Sequence, residues 1–167
     1  LGVGRIATSP TETDETRSDS QIVEIIGRNW LVGELYRSGV EVARPERDHG
    51  IDLIAFVDLD ESGRFVGRPI QMKASTKKMF GVWRRLEKFP DLLLAYVWNL
   101  TSPSDSVCYC LTYAEAKAIA DKMGWIETAS WTKGGSYITN APSARLLSLL
   151  EPFRMVHAAD WPAKIRG

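Results

Sequence analysis

Three residues whose types suit phosphodiester chemistry stand close together in the chain. Asp52 sits in the stretch H-G-I-D-L-I-A-F at 49–56, and Gln71 and Lys73 sit in R-P-I-Q-M-K-A-S at 68–75. Side chains alternate along a strand, so Asp52 shares a face with Ile54 and Phe56, while Gln71 and Lys73 share one with Ser75. Pairing the two runs as an antiparallel hairpin brings Asp52 beside residues 71–73. A carboxylate and an amide oxygen, aided by the Met72 carbonyl and by water, are hard oxygen ligands suited to Mg²⁺, with Mn²⁺ as a substitute. A metal held there acidifies a water and offsets the charge growing on a phosphate, while an ammonium orients the nucleophile or stabilises the equatorial oxygens.

The elements that must position these residues are legible as changes of period. Ile22, Ile25, Ile26, Trp30, Leu31 and Leu35 recur at helical spacing between the caps at Ser18 to Ser20 and the stop Ser38-Gly39, which predicts a first helix over about 20–38. V-E-V-A at 40–43 predicts a short strand, and the runs 51–58 and 65–75 predict a hairpin closed by L-D-E-S-G, with Pro69 at an edge position or a bulge. The apolar run 92–98 suits a strand covered on both faces, with 107–111 as its partner. T-Y-A-E at 112–115 opens a helix that Gly124 ends, 131–139 reads as a turn feeding a strand, and Asn140 with Pro142 starts a last helix through Leu150. Helices flanking a central, mostly antiparallel sheet place the chain in the α/β (α+β) class. Residues 1–19 have the composition of a polar arm, expected to lie against the domain or a second copy, and 20–167 form a single domain.

A helix followed by D-x-G-I-D-L-I-A (Asp48 to Ala55) and I-Q-M-K-A-S (Ile70 to Ser75) resembles the PD-(D/E)XK nuclease superfamily, especially its Q-x-K branch. That branch includes restriction enzymes acting on methylated DNA, and the wider superfamily includes archaeal Holliday junction resolvases. The resemblance covers about residues 20–100. It implies a restriction-endonuclease-like core with a central mixed sheet, a Mg²⁺-dependent endonuclease activity on DNA, Asp52 and Gln71 as metal ligands and Lys73 as the catalytic ammonium. Family members often add an acidic residue from the first helix, for which Glu24 and Glu34 are the candidates.

Composition sets the outer limits. The 167 residues carry 21 basic and 21 acidic side chains, so no global field announces nucleic acid, although a local patch can still bind phosphates. Lys77, Lys78, Arg84, Arg85 and Lys88, interrupted by Phe80 and Trp83, are the candidate DNA-binding patch. Cys108 and Cys110 are expected on opposite faces of a strand-like run, free and buried, which fits a cytoplasmic protein. No run approaches the roughly 20 apolar residues of a membrane helix. Trp98, Trp125 and Trp161 are expected in the core or at a subunit contact, and a homodimer would present two sites to a duplex. A different class of function keeps the fold and drops the chemistry: Arg28, where related sequences often carry Glu, and the uncharged Gln71 point to a degenerate site acting in nucleic-acid binding or protein interaction. A third reading makes Asp52 and Lys73 a structural ion pair.

Overall fold

The computed structural model describes residues 12–47, 49–59 and 63–167. Two sheets and five α-helices succeed one another in the order α1 (Glu12–Arg37), β1 (Glu41–Ala43), β2 (Leu53–Asp58), β3 (Phe65–Ala74), β4 (Phe80–Trp83), β5 (Leu93–Trp98), β6 (Val107–Thr112), α2 (Tyr113–Lys122), α3 (Ala129–Thr132), β7 (Ser136–Thr139), α4 (Ala144–Leu150) and α5 (Asp160–Arg166). The main sheet has the order β1-β2-β3-β5-β6, and β4 and β7 pair separately as a two-stranded ribbon. All pairings are antiparallel except β3 with β5, which makes the sheet mixed. The α+β expectation therefore holds.

Each face of the sheet owns a core. Leu53, Ala55, Ile70, Met72, Ala95 and Val97 pack on one side with Leu31 and Leu35 of α1 and Trp161 and Ile165 of α5. Leu94, Tyr96, Trp98 and Leu111 pack on the other with Phe80 and Val82 of the ribbon and with α2 and α4. The strand β5 is buried at all six positions, as its unbroken apolar run demands. Pro69 sits in β3 opposite Ile54 of β2, while the ladder to β5 begins only at Ile70, so the proline occupies the part of β3 that is still an edge.

Several expectations change. The first helix begins at Glu12 rather than near residue 20, so residues 12–19 of the expected arm are helical, and the rest of the arm lies outside the described residues. Cys108 and Cys110 are free and buried, but they share one face and one core, because residues two apart on a strand point the same way. Trp98, Trp125 and Trp161 are core residues, the first of the two placements expected for them. The strand β4 and the helices α3 and α5 had no counterpart in the sequence reading. Among the described residues no helix is long and apolar enough to cross a membrane.

Candidate active site

Asp52, Gln71 and Lys73 converge. The β2–β3 ladder ends at Leu53 opposite Ile70, and the Asp52 N–H continues it by donating to Ile70 O at 2.9 Å. The Asp52 side chain then turns onto the neighbouring strand, where its Oδ2 accepts the Met72 N–H at 2.7 Å. Ile70 and Met72 point to the α1 core, so the strand period sends Gln71 and Lys73 to the opposite face. There they stand beside Leu94 and Tyr96 of β5 in parallel register.

One cleft of about 570 Å³ takes in Asp52, Gln71 and Lys73 together with Ser20 and Glu24 of α1, His49, and Arg85 and Lys88 from the segment after β4. The helix reaches the cleft because Gly27 lets its backbone approach β3: a Cβ at 27 would stand 2.6 Å from the Ala74 Cβ and 3.0 Å from Leu100. Gln71 is 5% exposed, and its Oε1 has no hydrogen-bond partner. An orphaned buried amide oxygen costs about 1–3 kcal/mol, a cost a cation or a donor in the cleft would remove. The Lys73 Nζ lies over the Trp83 ring, 4.9 Å from its centroid, so β4 supplies the floor that holds the ammonium. The Trp83 floor belongs to the ribbon, which the Tyr96 hydroxyl ties down by donating to Gly81 O at 2.5 Å. Burial pushes the Tyr96 phenol well above its ordinary value, so it stays the donor at every ordinary pH.

The two helix acids separate. Glu24 lines the cleft, with its Oε1 accepting from Arg28 at 2.7 Å. Glu34 does not line it: ten residues further along the helix, about 15 Å along the axis, it pairs with Arg37. Glu34 is thereby removed from the candidate set. The basic patch also divides. Arg85 and Lys88 line the cleft, Arg84 lines a neighbouring one, and Lys77 and Lys78 are exposed in the turn between β3 and β4, outside both. Asp48 lies outside the described residues.

Mg²⁺ fits the donor set in part. The Asp52 carboxylate and the unpartnered Gln71 oxygen face one cleft, with Glu24 at its helix side, and all are hard oxygen donors. Among the described residues, no three His, Cys, Asp or Glu side chains gather closely enough to hold a metal by themselves. A metal here would draw on the Gln71 amide oxygen, a backbone carbonyl or water beside the carboxylates. Among the described lining residues the cleft carries Lys73, Arg85 and Lys88 beside Glu24 and Asp52, cations suited to a phosphate. Sequence reasoning took Ser20 as a helix cap and Trp83 as an aromatic within the basic patch, and joined neither to Asp52, Gln71 and Lys73; the signal for Trp83 was its place ten residues after Lys73. Compared with models of protein families, with curated proteins and with solved structures, the chain matches none.

Proposed function

We propose that the protein is a metal-dependent nuclease of PD-(D/E)XK type that hydrolyses phosphodiester bonds in DNA. The observation that carries this reading is the buried, unpartnered Gln71 oxygen, which shares a cleft with Asp52 and with a lysine seated on an aromatic ring. Asp52 and Gln71 would hold Mg²⁺ or Mn²⁺, and Glu24 would join them through water. Bound there, the metal supplies Lewis-acid chemistry, polarising a phosphate oxygen and lowering the pKa of a water. Lys73, fixed over Trp83, offers its ammonium to the attacking water or to the equatorial phosphate oxygens. Arg85 and Lys88 hold the flanking charge of the strand. Incubation with plasmid DNA and either metal is expected to give nicks that Lys73→Ala abolishes; absence of cleavage in both metals, or a Lys73→Ala variant that cuts as well as wild type, defeats the reading.

A second reading, a nuclease fold that binds nucleic acid or a protein without cutting, is favoured by one observation. Arg28 pairs with Glu24, the α1 acid that lines the cleft among the described residues. Calorimetric titration with Mn²⁺ separates the two, because a working site gives binding that Asp52→Asn removes. We also propose that two copies pair, supported by Ile22, Ile25, Ile26 and Tyr36, which stand exposed along α1. Sedimentation of wild type beside an Ile22→Asp, Ile26→Asp double variant tests it.

A further inference from the structure

Beside the candidate cleft lies a smaller one of about 350 Å³, lined by Trp83, Arg84, Arg85, Gly134, Gly135 and Ser136. It forms at the end of the ribbon, where Trp83 faces Ser136 across the ladder and the Arg84 N–H donates to Gly135 O at 2.7 Å. The two clefts share a wall. Arg85 lines both, and the Trp83 ring that carries Lys73 on the side of the first cleft also borders the second.

The chemistry of the lining selects an anion. Two exposed guanidiniums and a serine hydroxyl surround it, with no carboxylate lining it among the described residues. The opposite wall is bare backbone for reasons internal to the fold. A Cβ at Gly134 would stand 2.7 Å from Ser130 O, and Gly135 has a φ of +68°, which side chains rarely adopt. The Arg84 guanidinium lies against this glycine wall, its Nη2 3.4 Å from where a Gly135 Cβ would be. A planar fork of N–H donors held open beside a backbone floor suits the paired oxygens of a phosphate.

We propose that the Arg84–Gly135 cleft is a second phosphate subsite, which takes a phosphate of the same strand next to the one in the first cleft. The ligand is then a polynucleotide engaged through at least two of its phosphates, not a phosphomonoester or an isolated diester. The inference rests on the reading of the first cleft as a phosphodiester site. Its test is the salt dependence of binding of a short fluorescent single-stranded oligonucleotide, measured by anisotropy in EDTA so that no metal step intervenes. Loss of one phosphate contact in Arg84→Ala is expected to flatten the slope of log K against log salt by about 0.7, and Arg84→Lys, which keeps the charge, is expected to keep the slope. An Arg84→Ala slope equal to wild type, an Arg84→Lys slope as flat as Arg84→Ala, or a wild type that does not bind the oligonucleotide overturns the subsite. A protein that binds with the expected slopes but never cuts in Mg²⁺ or Mn²⁺ instead defeats the nuclease chemistry and leaves the subsite standing.

Discussion

The Lys73 ammonium rests on an indole face, and cation–π contacts of this kind contribute about 0.5–2 kcal/mol according to how far they are desolvated. Trp83 meets the ammonium, so under the proposed nuclease chemistry it is a positioning residue. Trp83→Phe keeps an aromatic face and is expected to keep most of the cleavage rate. Trp83→Leu is expected to lower kcat roughly tenfold, equivalent to ~1.4 kcal/mol, with little change in KM. Steady-state cleavage assays on both variants check this; equal losses in the two would mean that Trp83 only fills space. Asp52, Gln71 and Lys73 were legible because a period of two, once the hairpin is recognised, leaves them a single face. The choice between Glu24 and Glu34 was not legible, since both lie on a plausible helix. What decides it is where along the axis α1 crosses β3, and that is a property of Gly27.

At the scale of the elements, the close approach of α1 to β3 is the feature that brings Glu24 and Ser20 to the cleft. A methyl group at Gly27 has nowhere to go, with the Ala74 Cβ at 2.6 Å and Leu100 Cδ1 at 3.0 Å. Gly27→Ala is therefore expected to push the helix off the strand and to cost about 1–3 kcal/mol of stability, as overpacked sites do. Urea denaturation measures the loss, and Mn²⁺ calorimetry shows whether Glu24 retreats with the helix. Elements with strong local signatures were readable: Thr112 and Glu115 close the capping box expected for α2, each backbone N–H taken by the other's side chain. The strand β4 was hidden because F-G-V-W is four residues long inside a basic stretch. Its stabilising partner, β7, lies far along the chain. The helix α5 is short and is held chiefly by Trp161 and Ile165 entering the core, a tertiary cause that periodicity over seven residues does not reveal.

For the molecule as a whole, the sheet and its two cores follow from the alternation and burial patterns of β2, β3, β5 and β6, while the ribbon is the wall that sets Trp83 against Lys73. Phe80 pairs with Thr139 and Trp83 with Ser136, so this wall joins parts of the chain more than fifty residues apart. The β2–β3 hairpin, by contrast, closes over a short loop. Closing a long loop must be met by entropy before its contacts repay it, which delays distant pairings relative to local ones. Asp52, Gln71 and their hairpin are thus expected to assemble early, and the Trp83 floor under Lys73 late. In refolding followed by pulse-labelled hydrogen exchange, the amides of Val57 and Ile70 should gain protection before those of Val82 and Tyr137. Simultaneous protection would mean that the ribbon docks as part of the folding nucleus. Nascent chains still lacking residues 136–139 would then expose Asp52 and Gln71 without the floor that seats the ammonium, so any catalysis of the proposed kind would begin only after synthesis has passed β7.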